Sequence, residues 1–163
     1  MSQFADTGQP HEHNATQAVP TIDLQTVHQD PQALRALDSA CREHGFFLLT
    51  GHGIDTEVAQ MWAHSAEFFG GQRDHKEAVR RTESQPLGYY DRELTKQQRD
   101  LKEVFDFTQP RAENDPNQWP AAPEGFKAAM DTFYRAAGAL AETTLALVYR
   151  ALASGLEAQP GSG

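Results

Sequence analysis

The apolar positions of the chain alternate between the spacing of strands and the spacing of helices over the first seventy residues. A short stretch of β-formers at 19–24 is followed by a helix from Asp30, in which apolar residues recur with the helical period. The continuous apolar run 46–50 lies between glycines, which is typical of a buried strand. A second helix then continues to Gly70. The pattern predicts the order strand, helix, strand, helix.

The boundaries of these helices follow from residue chemistry. Asp30 is predicted to cap the first helix, because its carboxylate accepts hydrogen bonds from free backbone amides, and Pro31 has no amide to leave unpaired. Gly45 is the predicted C-cap. In the second helix His64 is expected on the surface, and the predicted buried face consists of Val58, Met61, Trp62, Ser65, Phe68 and Phe69.

The second half of the chain is first charged and then apolar. Residues 72–102 are mostly polar, so their charges, Arg80 and Arg81 among them, are expected to form a solvated face. Within this stretch 86–90 is interpreted as a loop packed against another element. Apolar residues then alternate at 104–107, which predicts a half-buried strand, and a continuous apolar stripe predicts a long helix over 124–156.

The composition and charge of the chain argue against several classes of partner, metal site and membrane segment. The net charge of the 163 residues is −9, which argues against nucleic acid or an anionic membrane as the main partner. The single cysteine, Cys41, excludes disulfides within the chain and multi-cysteine metal sites. No apolar run is long enough to span a bilayer, and by elimination we expect a cytoplasmic location. The expected organisation is a flexible arm at 1–18, one domain at 19–157 and a tail at 158–163.

One H-x-D triplet, His28-Gln29-Asp30, occurs in the sequence. With a distant histidine, such a triplet can form the facial triad of a non-haem iron site. We expect no metal here, because Asp30 is used as a helix cap. An isolated metal site of His28, Asp30 and His75 is the least favoured interpretation. For His52, between two glycines, a ring bonded to a nearby carbonyl is favoured over a metal ligand or a catalytic base.

Six segments resemble, in order and spacing, those of the isopenicillin N synthase-like dioxygenases. The resemblance covers nearly the whole predicted domain and includes Gly45, Phe46, His52, Gly53 and Gly88 as structural motif positions. The segments are VPTIDL at 19–24, CREHGFF at 41–47, LTGHGI at 49–54, EFF at 67–69 followed by KE at 76–77, GY at 88–89 and KEVFD at 102–106.

This resemblance implies an α/β (α+β) fold that forms only the N-terminal half of such an enzyme. It is mainly helical, with a few short strands that would join a double-stranded β-helix, or jelly-roll. In the family, an H-x-D…H triad on the jelly-roll holds iron and an Arg-x-Ser motif holds 2-oxoglutarate. This chain contains no Arg-x-Ser. The resemblance therefore implies a chain cut before the jelly-roll, with no catalytic residues and no cofactor of its own.

For the full-length oxidoreductase, the resemblance implies Fe(II), 2-oxoglutarate and a small-molecule substrate. The partner of this chain would be the missing C-terminal jelly-roll half, and no nucleic acid or membrane is expected. The loop at 88–90 would cover the mouth of the active site, with Tyr90 and Tyr89 as candidate substrate contacts. The alternative hypothesis is a stand-alone, non-catalytic helical module for binding or dimerisation.

Overall fold

The computed structural model describes residues 18–92, 94–95, 98–109 and 115–157. The predicted tail at 158–163, and all of the predicted arm except residue 18, lie outside the described residues. The chain divides into two compact units. The first contains the described residues of Met1–Gly51 and Leu147–Gly163, and the second is His52–Ala146.

The first unit begins with a parallel strand pair connected by helices. Its strands pair from Thr21 opposite Leu48 to Asp23 opposite Thr50. Parallel neighbours need a crossover, and here the helices provide it. The predicted order of strand, helix and strand is therefore confirmed. The elements are β1 (Thr21–Asp23), α1 (Leu24–Val27), α2 (Pro31–Ser39), a π-helical turn (Ala40–His44) and β2 (Leu48–Thr50).

Both predicted caps of the helical segment are confirmed. The Asp30 carboxylate accepts a hydrogen bond of 2.8 Å from the backbone amide of Gln32. Gly45 has a left-handed backbone with φ of 74°, and its amide donates to the Ala40 carbonyl at 3.1 Å. A further cap was not predicted: Asp23 accepts a 3.0 Å hydrogen bond from the Gln25 amide and begins α1.

Replacing Asp30 with alanine is expected to lower the free energy of unfolding by about 1 kcal/mol, because the first turn of α2 loses its side-chain acceptor. Urea titration followed by circular dichroism measures this loss. The matched control is Glu43→Ala, at an exposed position of the π-helical turn, which is expected to change stability by less than about 0.5 kcal/mol. Equal effects of the two substitutions would contradict the capping role of Asp30.

The predicted burial of the run 46–50 is wrong. Phe46 is 59% exposed and Leu48 is 58% exposed, while Leu49 is half-buried. The reason is that β1 and β2 form a two-stranded sheet, and among the described residues no further strand pairs with β2. The buried side chains of this unit are instead Ile22, Leu24, Val27, Leu34, Leu37, Ala40, Leu147 and Ala151.

The second unit contains helices and short antiparallel strand pairs. Strands β3 and β6 pair with Tyr89 opposite Phe105, and β4 pairs with β5. The prediction of a loop over 86–90 is thus wrong for its last three residues, which form β3. The elements are α3 (Asp55–Gly70), α4 (Arg73–Glu77), β3 (Gly88–Tyr90), β4 (Leu94–Thr95), β5 (Gln98–Arg99), β6 (Val104–Asp106) and the part of α5 (Phe126–Glu157) up to Ala146.

An aromatic cluster forms the core of the second unit. The Phe68 ring lies 4.8 Å from the ring of Phe126 and 5.2 Å from that of Phe105, measured between centroids. Two predictions for α3 are wrong. Trp62 is 66% exposed, and His64 is half-buried, with no hydrogen-bond partner for its buried Nδ1. The helical period of α3 predicts an apolar stripe, but it does not show which residues of that stripe are buried.

The long C-terminal helix is confirmed as α5, which contributes Phe126 and Met130 to the core of the second unit. From Leu147 onward its residues belong to the first unit. With the short strands, these helices confirm the predicted α+β class.

Candidate functional site

Strand β3 directs its two tyrosines to opposite sides, as the pleat of a strand requires. Tyr89 is fully buried, whereas Tyr90 is half-buried. The backbone of Tyr89 is also held from a second side, since its amide donates to the Val79 carbonyl at 2.8 Å and its carbonyl accepts from the Arg81 amide at 3.0 Å. Thus β3 is fixed between β6 and the segment after α4.

The buried hydroxyl of Tyr89 belongs to a polar network with Lys76 and Glu103. It donates to the Glu103 carboxylate, which also accepts a hydrogen bond of 2.7 Å from the Lys76 ammonium group. Lys76 donates in addition to the Phe69 carbonyl at 2.9 Å. Burial, together with the nearby Glu103 carboxylate, raises the pKa of Tyr89 to about 12. The hydroxyl therefore stays protonated at neutral pH and donates a hydrogen bond to Glu103.

A second network follows β3 directly. The carboxylate of Asp91, only 5% exposed, accepts from Arg80 at 2.8 Å and from Arg73 at 3.1 Å. Both arginines also pair with Glu77. Separate hydrogen bonds from Arg80 to the two carboxylates lower the pKa of Asp91 and lower the pKa of Glu77 to about 2. The prediction that residues 72–102 form a solvated face is wrong for Lys76, Arg80 and Asp91, because opposite charges compensate their burial, whereas Arg73 is exposed as predicted.

An open groove of about 490 Å³ lies beside Tyr90. The guanidinium carbon of Arg81 lies 3.7 Å from the centre of the Tyr90 ring, and Arg81 also binds the Asp106 carboxylate at 2.8 Å. The Tyr90 hydroxyl donates to the Arg92 carbonyl at 2.9 Å. The close guanidinium group and the hydrogen bond of the hydroxyl hold this ring at the wall of the groove. The groove is lined by Arg81, Thr82, Glu83, Pro86 and Tyr90.

The predicted motif residues are distributed over both units. Gly45 and Phe46 lie in the first unit, and His52, Gly53 and Gly88 lie in the second. The His52 ring accepts a 3.2 Å hydrogen bond from the Ile54 amide, so it binds a backbone amide and not the expected carbonyl. Of the candidate substrate contacts, Tyr90 borders the groove, whereas Tyr89 lies in the core.

The described residues do not fit an iron site. The Asp30 carboxylate caps α2 by accepting a hydrogen bond from a backbone amide. It is therefore not available to bind a metal together with His28 of the H-x-D triplet. Within the described ranges, no three His, Cys, Asp or Glu side chains converge so as to hold a metal ion. None of the helices in the described part of the chain is both long enough and apolar enough to cross a membrane.

Comparison with known proteins places this arrangement in a family. The sequence model of the N-terminal region of the non-haem dioxygenase in morphine synthesis matches residues 19–122. The chain belongs to this dioxygenase N-terminal family. The match includes both charge networks, the groove residues and most of the elements, so the resemblance seen in the sequence is confirmed.

Relatives of this dioxygenase N-terminal region are larger proteins. Gibberellin 20 oxidase 1 of Arabidopsis thaliana is 37% identical over 76 residues, covering 44% of this chain and 20% of the relative. A homoarginine-6-hydroxylase of Arabidopsis thaliana is 29% identical over 136 residues, covering 75% of this chain and 41% of the relative. The chain thus spans less than half the length of the curated relatives it matches.

A solved structure has the same fold. Full-length Neurospora crassa T7H in complex with alpha-KG superposes with a TM-score of 0.68 at 24% identity, covering 85% of this chain and 47% of that one. The fold of this dioxygenase N-terminal region therefore also occurs within a longer chain.

The residues that hold β3 in this N-terminal region were not predicted as a group. The sequence pattern assigns Lys76 and Asp91 to the mostly polar stretch 72–102, and Glu103 to the segment next to the half-buried strand predicted at 104–107. The available indication was the charge pattern, since a lysine is followed by a glutamate both at 76–77 and at 102–103. Neighbouring lysine and glutamate residues also occur on exposed helices, so this pattern does not predict an ion pair. The contact between Lys76 and Glu103 is seen only in the fold.

We expect the unfolding temperature to fall as the pH is lowered from about 4.5 towards 2. Arg80 holds the pKa of Glu77 at about 2, below its ordinary value of 4.5, and the pKa values of Asp91 and Glu103 are also lowered. These carboxylates bind protons more readily in the unfolded chain, so their stabilisation is complete above pH 4.5 and is lost on acidification. Differential scanning calorimetry at a series of pH values measures the slope.

The variant Glu77→Gln is expected to flatten this dependence, since it removes the largest of these pKa changes. Glu67→Gln, on the exposed face of α3, is the matched control and should keep the wild-type slope. If Glu77→Gln retained the full slope, the ion pair with Arg80 would not be the source of the acid sensitivity.

Proposed function

We propose that this chain is the N-terminal part of an Fe(II)/2-oxoglutarate-dependent oxygenase that oxidises a small organic substrate. The observation that carries the proposal is the family match over residues 19–122. The names of the relatives, an oxidase and a hydroxylase, support the same reaction class. Iron and 2-oxoglutarate would be bound by the remainder of the enzyme, because the described residues do not fit a metal.

The groove beside Tyr90 is the part of this chain that would contact the substrate. Its volume of about 490 Å³ is adequate for a small organic molecule. The Tyr90 ring offers an apolar surface that Arg81 and the Arg92 carbonyl keep oriented. Tyr89, which is fully buried, would act through the position of β3 and not through direct contact.

The exposed edge of β2 is where a C-terminal jelly-roll would pair with this chain. Phe46 and Leu48 are more than half exposed, and no described strand pairs with the free edge of β2. Unpaired edges with apolar side chains promote aggregation, so natural proteins cover them. A jelly-roll strand added here would satisfy the free backbone groups and bury both side chains.

The test is an assay of the protein purified from its native source, with its intact mass. We expect a mass well above 18.1 kDa and succinate production from 2-oxoglutarate in the presence of Fe(II) and the substrate. The 163-residue chain alone is expected to produce no succinate. A native mass of 18.1 kDa without turnover would overturn the proposal, as would turnover by the isolated chain.

One observation favours the alternative of a binding or dimerisation module. Leu145 and Tyr149 lie four residues apart on α5 and are 54% and 67% exposed. Analytical ultracentrifugation distinguishes the two functions. A folded dimer that Leu145→Glu converts to a monomer would support the module, whereas a monomer with or without this substitution would support the oxygenase part.

A further inference from the structure

A small cavity of about 200 Å³ lies where α5 meets the segment after β6. One wall of the cavity is the chain at 108–109, and the other is one turn of α5 at 131–135. The cavity is lined by Thr108, Gln109, Asp131, Tyr134 and Arg135. Three of these side chains are neutral groups that donate or accept hydrogen bonds, one is a guanidinium group and one is a carboxylate.

The wall on the strand side is fixed in place. The Asn117 side chain accepts a 2.8 Å hydrogen bond from the Thr108 amide and donates one of 2.8 Å to the Thr108 carbonyl. Both backbone groups of Thr108 are thus held by one side chain. On the helix side the Tyr134 ring packs against Phe107, with 5.9 Å between the ring centres. The cavity therefore has a preformed polar wall and an aromatic wall.

The described lining of the cavity includes one cation, Arg135, and one anion, Asp131. The Arg135 Nε atom donates to the backbone carbonyl of Asp131 at 3.2 Å, and no carboxylate among the described residues pairs with the terminal nitrogens of Arg135. The Asp131 carboxylate pairs with Lys127 at 2.6 Å, and the Lys127 ammonium group lies over the Trp119 ring. Among the described residues, the terminal nitrogens of Arg135 are thus a positive group at this cavity without a carboxylate partner, in a chain whose net charge is −9.

We infer that this cavity binds a small organic carboxylate with a flat apolar body. The two terminal nitrogens of Arg135 present a planar fork that matches a carboxylate. The Tyr134 ring supplies a surface for stacking, and Thr108 and Gln109 supply polar contacts at the opposite wall. A single guanidinium balances one negative charge, which favours a monocarboxylate over a phosphate dianion placed beside Asp131.

Titration of the ¹⁵N-labelled chain with sodium benzoate, followed by NMR, tests the inference. We expect saturable shifts of the Thr108 and Gln109 amides and of the Arg135 side-chain signal. Benzamide keeps the ring but lacks the charge, and acetate keeps the charge but lacks the ring. Both are expected to bind about tenfold or more weakly than benzoate. Inorganic phosphate is expected not to compete with benzoate.

Arg135→Gln is expected to weaken benzoate binding about tenfold or more, and Arg135→Lys is expected to restore part of the loss. Arg150→Gln, an exposed arginine farther along α5, is the matched control and should bind as the wild type does. Unchanged amide spectra away from the cavity verify that each variant is folded. Shifts that do not saturate, equal binding of benzamide, equal binding by Arg135→Gln, or stronger competition by phosphate would each overturn the inference.

Discussion

Replacing Gly88 with alanine is expected to lower the free energy of unfolding by about 3–5 kcal/mol, combining backbone strain with overpacking. Gly88 has φ of 112°, a conformation that residues with a Cβ rarely adopt. An added Cβ would lie 2.3 Å from the Val79 carbonyl oxygen, which is backbone and cannot rotate away. The segment after α4 would have to separate from β3. Urea titration monitored by tryptophan fluorescence measures the loss.

Gly45→Ala separates strain from crowding. Gly45 also has a left-handed backbone, with φ of 74°, but an added Cβ there would meet no atom within 4 Å. Its expected cost is only the strain, about 1–2 kcal/mol. If Gly88→Ala and Gly45→Ala reduced stability equally, close approach of β3 to Val79 would not explain why a glycine stands at position 88.

Replacing Glu103 with alanine is expected to cost about 2–4 kcal/mol of unfolding free energy, since the change removes one partner of a partly buried ion pair. The Lys76 ammonium would keep only the Phe69 carbonyl, and the buried Tyr89 hydroxyl would lose its acceptor. The loss is set below that of a fully buried pair because the Glu103 side chain remains 37% exposed. Chemical denaturation at pH 7 measures it.

The order of effects among variants is the sharper test. Lys76→Met is expected to cost less than Glu103→Ala, because the remaining carboxylate of Glu103 reaches water whereas the Lys76 side chain is only 10% exposed. Glu103→Gln, which keeps an acceptor for Tyr89, should lie between the wild type and Glu103→Ala. Glu67→Ala on the exposed face of α3 is the control, and a loss no greater than its own would contradict the role of Glu103.

Much of the secondary structure was predictable from local chemistry. Asp30 and Gly45 begin and end the helical segment by capping, which depends only on neighbours in sequence. The long stripe of α5 has the helical period over many turns, and 104–107 has the alternation of a strand. These signals are local or repeated, and the structure confirms them in Asp30, Gly45, α5 and β6.

The candidate site was predictable only in part, because its geometry depends on contacts distant in sequence. The sequence motif included both Tyr89 and Tyr90, but only the pairing of β3 with β6 shows which ring is buried. Lys76 and Glu103 are 27 residues apart, so nothing local indicates that they form a pair. Similarly, the apolar period of α3 could not distinguish the exposed Trp62 from the buried Phe68.

Dissolved salt screens the ion pairs of this chain to different degrees, because the pairs differ in their exposure to solvent. At physiological ionic strength the screening length is about 8 Å, which weakens pairs on the surface such as Lys127 with Asp131 but affects shielded pairs much less. Asp91 and Arg80, which anchor the end of β3, are largely withdrawn from solvent. Added salt therefore reduces the mutual repulsion that a net charge of −9 creates, while it leaves this anchor intact. We therefore expect β3, the strand beside the groove, to stay anchored at salt concentrations that weaken exposed ion pairs.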